Sequence, residues 1–178
     1  MTASIGFRAA GRDDLARDLL QRLLDEAESP PASPLYRDPK QDATQTPGRI
    51  PSALGQFAAD AVADWLREPK ALACALGESL SEPKPQIWFE SNDAPLRDGA
   101  GVRLDRRTRM VYDDHHVFIN GESFRAGGRD ATLMRELADM RALPARQVAR
   151  LSHDARELLG DWHQSGWLHA SELLENEP

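Results

Sequence analysis

The 178-residue sequence predicts an α+β fold, mainly α, in two parts: a helical segment, then a compact unit of short strands and helices. Three observations predict it. Leucine-rich stripes recur at three- and four-residue spacing through the first half, the mark of amphipathic helices. Short β-type runs surround Asn120-Gly121, a pair suited to a two-residue hairpin turn because both residues accept positive φ. A lone strand-like run at the N-terminus has no partner within reach in the sequence.

That first run is Ala3-Ser-Ile-Gly-Phe-Arg-Ala9, in which Ile5 and Phe7 alternate with Ser4, Gly6 and Arg8, the period of a strand with one buried face. From Asp13 to Glu26, Leu15, Leu19, Leu20, Leu23 and Leu24 line one helical stripe, and Asp13/Arg17 and Asp18/Arg22 set opposite charges four apart. Six prolines between 29 and 51 exclude helix or central strand there, which predicts a loop. A second helix follows over Ser52–Leu66, with Leu54, Phe57, Ala58, Ala61, Val62, Trp65 and Leu66 on its apolar side. Pro69 suits the first turn of a third, reaching about Leu80 with Leu72, Ala73, Leu76 and Leu80 on its apolar side. Cys74 lies among apolar neighbours and reads as a small buried hydrophobe, and a lone cysteine forms no internal disulfide. Gln86–Glu90 reads as a short strand or extended arm, and 92–101, with Pro95 and two glycines, as a domain boundary.

Beyond it, Val102–Asp105 and Arg109–Tyr112 read as strands around a reversal at 106–108, and Val117–Ile119 as a third before the Asn120-Gly121 turn and the return Glu122–Arg125. Arg129–Arg141 is helical by Leu133, Met134, Leu137 and Met140, with Asp130 as expected N-cap. A short segment runs from Pro144 to Leu151. Ser152 caps a last helix carrying Ala155, Leu158, Leu159 and Trp162, and Gly166 sits where a left-handed residue stops it. Three strands and three helices in so short a span suggest a winged-helix-like unit.

The stretch Asp113-Asp-His-His116 raises the question of a metal site. Adjacent side chains on an extended backbone point to opposite faces, so His115 and His116 are poorly placed to share one ion, and a polar loop between strands is the simpler reading. None of the five histidines is followed two residues later by a carboxylate, as a ferrous facial triad requires. Nor is there a phosphate-binding loop, a nucleophile elbow or a His-Glu-x-x-His zinc helix. No catalytic, metal or cofactor residue is therefore assigned from the motifs.

Net charge is −7, with 22 Lys+Arg against 29 Asp+Glu, and neither half is basic. Nucleic acid is accordingly disfavoured as a partner, and the last helix, with Asp154, Glu157 and Asp161 against Arg156, would repel phosphate. No apolar run approaches the length of a membrane span and no leader is evident, so the expected location is cytoplasmic. Three helices without a closed core leave an apolar stripe suited to pairing with its copy, which makes Leu54, Phe57, Val62, Trp65, Leu66, Leu72 and Leu76 candidate dimer-interface residues.

Several of these segments, in this order, resemble the rear half of the bacterial JmjC-type cupin ribosomal oxygenases, the 50S ribosomal protein arginine 3-hydroxylase family. Ser4-Ile-Gly-Phe-Arg-Ala9 with its following helix resembles the exit from that family's catalytic barrel, apart from Ala10, where the family commonly has proline. The helices around Leu54–Leu66 and Leu72–Leu80 resemble its dimerisation domain; Val117-Phe-Ile-Asn-Gly-Glu122, the helix Leu133–Met140 and Gly166-Trp-Leu168 resemble its ROXA-like winged helix. The resemblance implies residues 1–10 as the last strand of a cupin barrel otherwise missing, 11–91 as the dimerisation domain with its proline-rich loop 29–51, 100–170 as the winged helix and 171–178 as a tail. It implies Fe(II) and 2-oxoglutarate as the complete enzyme's cofactors, a ribosomal protein as substrate, and a homodimer. The iron ligands would then lie outside this chain, which is not expected to be catalytically competent alone; Ser4 would face the cofactor only within a complete barrel. The alternative from a different class is a free-standing winged-helix module that binds nucleic acid or protein.

Overall fold

The structure is a computed structural model that describes residues 11–26, 34–37, 39, 46–67 and 69–171. The strand expected over Ala3–Ala9, with Ser4, lies outside them, as do the tail from 172 and parts of the proline-rich loop. The chain divides into two compact units, 1–75 and 76–178, with the division inside the third helix.

In the first unit, α1 (Arg12–Glu26) and α2 (Ser52–Leu66) form as their periodicity predicts, and α3 (Pro69–Ser81) opens at proline, whose missing N–H has no helical partner to lose. No side chain of α2 is buried. The described part of the loop before it is irregular, and there Tyr36 sets its ring edge-on against Phe57, centroids 5.7 Å apart. Cys74 is half-buried.

The second unit holds two three-stranded antiparallel sheets. β2 (Met110–Tyr112), β3 (His116–Ile119) and β4 (Glu122–Arg125) form a meander in that order. Its β3–β4 turn has Asn120 at φ 50° and Gly121 at φ 91°, the positive pair a type I′ hairpin needs. The Asn120 side-chain oxygen accepts the Arg109 N–H at 3.0 Å, so the same residue also fixes the start of β2. The end of α3 meets this hairpin: the buried Ser81 hydroxyl accepts the Gly121 N–H at 3.0 Å, and a Cβ on Gly77 would overlap the Phe118 ring.

The other sheet has the order β5 (Ala142–Leu143), β1 (Gly101–Leu104), β6 (Leu168–Ser171). Val102–Asp105 and Arg109–Tyr112, expected as strands on either side of a reversal, give β1 and β2, and the two belong to different sheets. The chain does reverse at 106–108, but β1 pairs with two segments far along the sequence, Val102 opposite Leu143 and Ala170. Between those flanking strands run α4 (Gly128–Met140) before β5, then α5 (Ala145–Val148) and α6 (His153–Gln164) before β6. Helix, strand, helix, helix, strand is the winged-helix progression, with β1 as the central strand.

One apolar core unites these elements: Val102 and Leu104 from β1, Ile119 from β3, Leu133 and Leu137 from α4, and Leu159 and Trp162 from α6. Truncating Leu137 or Leu159 to alanine is expected to cost about 2–5 kcal/mol. Met140, assigned by periodicity to the buried side of α4, is instead 71% exposed at the helix end. Asp130 is not the N-cap of α4, because Gly127 is; its carboxylate accepts the N–H of Ser152 at 3.0 Å instead. Ser152 itself caps α6, its hydroxyl accepting the Ala155 N–H. At the other end of α6 the Gly166 N–H reaches His163 O and the Trp167 N–H reaches Trp162 O, while Gly166 takes φ 72°. This is a Schellman stop, and it needs the left-handed residue the sequence supplies.

Candidate functional site

At the β1–β2 reversal, Asp105 binds the Arg107 guanidinium in two-pronged fashion, Nε to Oδ1 at 2.8 Å and Nη2 to Oδ2 at 3.1 Å. The Arg107 backbone N–H also reaches Oδ1, at 2.9 Å, and His169 Nε2 donates to Oδ2 at 3.0 Å. The Arg107 hydrogen bonds hold the Asp105 carboxyl far below the ordinary carboxylate range, against the opposing effect of burial and with help from His169. Arg107 Nη1 goes on to the carbonyl of Trp88 at 3.0 Å, and its guanidinium lies over the Phe89 ring. From the other side, Arg141 donates Nη2 to the carbonyls of Asp105 and Thr108. A carboxylate so saturated cannot serve as a general base at neutral pH, since its proton affinity is far from that task. The cluster is a brace, and it joins residues 64 positions apart that no sequence motif connects.

The Asp113–His116 stretch forms a tight polar loop. Asp113 Oδ1 accepts the backbone N–H groups of His115 and His116 at 2.7 and 2.6 Å and lies 3.4 Å from His116 Nδ1. Burial pushes this carboxyl up, but those hydrogen bonds outweigh it and hold it below its usual value. Arg135 ties the loop to α4 through the carbonyls of Asp113 and Asp114. The two imidazoles stand nearly perpendicular, centroids 6.3 Å apart, and His116 lies beside Phe118. The other histidines are scattered: His153 lies 3.4 Å from Glu157, His163 is buried in α6 and His169 is held by Asp105. Among the described residues no three His, Cys, Asp or Glu side chains converge as metal ligands would. The ferrous iron implied by the family resemblance does not fit the donors described.

Of the candidate interface residues, Leu54, Phe57, Val62, Trp65, Leu66 and Leu72 are all exposed, from 37% to 61%, while Leu76 is half-buried. Five of the six exposed residues fall on α2. A helix with an apolar side and no buried residue has its hydrophobic face still to cover.

On α6 the exposed side is acidic: Asp154, Glu157 and Asp161 against Arg156. A cleft of about 520 Å³ lies between the 95–99 loop and α5 and α6, lined by Leu96, Arg97, Val148, Arg156 and Gln164 among others. No helix among the described residues is long and apolar enough to cross a membrane.

Solved structures of an E. coli protein share this fold. The X-ray structure of E. coli YcfD matches with TM-score 0.75 at 17% identity, over 94% of this chain and 46% of its own. YcfD, described as a ribosomal oxygenase from E. coli, matches in complex with cobalt and succinic acid with TM-score 0.72 at 18% identity, over 93% of this chain and 48% of its own. Its complex with cobalt and 2-oxoglutarate gives TM-score 0.71 at 18% identity, over 94% and 48%. The chain thus spans about half the length of the proteins it resembles in structure. No curated protein matches it in sequence. The family model described as ROXA-like winged helix matches residues 56–169, from within α2 to β6, and on that match the chain belongs to the ROXA-like winged helix family.

Proposed function

We propose that this chain forms the dimerisation and winged-helix portion of an Fe(II)- and 2-oxoglutarate-dependent ribosomal protein arginine hydroxylase, and that it does not catalyse the oxidation by itself. One observation carries the reading: a likeness over 94% of this chain takes up only 46% of an E. coli protein whose other structures are described as a ribosomal oxygenase. Two of those structures hold cobalt with succinic acid or 2-oxoglutarate, which supports the cofactor class. In this reading iron and 2-oxoglutarate are held by residues outside those described, and Ser4 belongs to the final strand of that catalytic barrel. The domain plan is then 1–10 for the strand, 11–91 for the dimerisation domain, 100–170 for the winged helix and 171–178 for the tail. The work of this chain is association, with a second copy through Leu54, Phe57, Val62, Trp65, Leu66, Leu72 and Leu76, in the cytoplasm and toward a ribosomal protein substrate.

The test combines mass and turnover. Sedimentation velocity of the purified 19.8 kDa chain is expected to give a species of twice that mass, and incubation with ferrous iron and 2-oxoglutarate to give no succinate. A monomer at micromolar concentration would overturn the association role. Succinate formation would overturn the claim that catalysis lies elsewhere.

A further inference from the structure

The negative net charge hides a local reversal of sign. On the outer face of the β5-β1-β6 sheet Arg103 stands directly opposite His169 across the β1–β6 pair, both exposed, while Val102 and Leu104 turn inward. At the end of this face the reversal adds Arg106 and Arg107, and Arg141 reaches in from the end of α4 to the Asp105 and Thr108 carbonyls. The Asp105 carboxylate is already bound by Arg107 and His169, and Glu90 acts on Arg107 through space, so Arg103 and Arg106 add positive charge that these two carboxylates do not bind. The side chains of Arg103 and Arg106 are exposed, and no side-chain hydrogen bond or ion pair is described for either. Trp88, whose carbonyl accepts from Arg107, leaves 71% of its surface exposed, although tryptophan is ordinarily well buried. The Arg107 guanidinium carbon lies 5.5 Å from the centre of the Phe89 ring.

Unbound guanidinium groups and an exposed aromatic ring are the two components of a single-strand platform: cations follow the phosphates, and a ring offers a face on which a base stacks. We propose that the outer face of the β5-β1-β6 sheet, with Arg103, Arg106, Arg107 and Trp88, binds single-stranded nucleic acid. The surface differs from the acidic α6, where duplex recognition by a winged helix would ordinarily be sought. It is also independent of whether the chain belongs to an oxygenase. An acidic peptide would satisfy the arginines but gives the exposed indole no partner, which is why the nucleic acid is preferred.

The experiment is fluorescence anisotropy of a labelled twelve-nucleotide oligouridylate with the full chain across a salt series. The logarithm of affinity is expected to fall with the logarithm of salt by roughly 0.7 for each phosphate contact. Arg103→Ala with Arg106→Ala should remove about two contacts and flatten that slope by roughly 1.4. Trp88→Ala should weaken binding about tenfold while leaving the slope unchanged, because stacking releases no counterions. All three residues are exposed, so the variants are expected to keep the parent's circular dichroism and melting temperature. The proposal is overturned if the oligouridylate does not bind at low salt, if these variants bind it as the parent does, or if an oligoglutamate of equal charge displaces it equally well.

Discussion

Asn92 and His163 fix one another in a single hydrogen-bonding state. The Asn92 side-chain oxygen accepts the Ala94 N–H at 3.0 Å, which turns its NH2 toward His163 Nε2, also at 3.0 Å. On the far side of the buried ring, Nδ1 faces the Leu168 carbonyl at 3.2 Å, an acceptor that requires a proton on that nitrogen. The ring is therefore the neutral Nδ1–H form, with Nε2 accepting from the amide. With Asn92 N–H on Gln164 O, this pair straps the 88–92 segment across the end of α6.

Asn92→Ala removes the only donor described for a buried acceptor, which is expected to cost about 1–3 kcal/mol. Urea denaturation should report that loss as a lower midpoint with an unchanged slope. Nitrogen-detected NMR of the parent should show the His163 proton on Nδ1; a proton on Nε2 would contradict the arrangement.

The same strap depends on Gly166. Its φ of 72° suits glycine, and a Cβ there would overlap the carbonyl oxygen of Glu90. Backbone on both sides leaves no flexible side chain to give way. Gly166→Ala is thus expected to destabilise by more than the roughly 1 kcal/mol of a left-handed alanine, about 2–4 kcal/mol in all. Gly99 has a similar φ of 74° with open space around it, so Gly99→Ala should pay only the conformational part. Equal losses in the two variants would refute the close approach.

Asp105 predicts a pH dependence. Its carboxyl is depressed below the ordinary 3.8, first by the Arg107 hydrogen bonds and then by His169. A group with a depressed folded-state value contributes stability that is fully present above the unfolded value and is lost as pH falls through the folded one. The parent's denaturation midpoint should accordingly decline with acid from about pH 4 downward, and Asp105→Asn should show a lower midpoint at neutral pH with a shallower acid decline. Parallel pH profiles for the two proteins would remove Asp105 from the account.

Local chemistry was legible in the sequence where one or two residues decide a backbone state. Asn120-Gly121 specified its turn, Ser152 and Gly166 the two ends of α6, and Pro69 the opening of α3. Strand pairing was not legible in this way. Val102–Leu104 and Met110–Tyr112 flank a true reversal, yet the partners of β1 are β5, two residues long, and β6, which follows a helix stop. Neither is long enough to show a period. The Asp105–His169 contact depends on that pairing and was hidden with it. Asp130 does not cap α4 because a glycine pair, with Gly128 at φ 55°, starts the helix earlier than a side-chain cap would. The α2 stripe was visible because periodicity reports an apolar face whether or not the chain covers it.

That uncovered face leads to the last prediction. Val62 and Trp65 are 61% and 49% exposed on α2, where glutamate is a good helix former and would clash with nothing buried. If the stripe pairs with its copy, Val62→Glu with Trp65→Glu places like charges in an apolar contact that excludes water, and burial of unpaired charge is among the most costly changes an interface can suffer. Sedimentation should then give a monomer at concentrations where the parent is a dimer. Far-ultraviolet circular dichroism should be retained by the second unit, whose core contains neither residue. Arg106→Glu serves as the control, an exposed charge reversal within the second unit that should leave the mass of the parent unchanged. A doubly substituted chain that still sediments as a dimer would move the interface off α2.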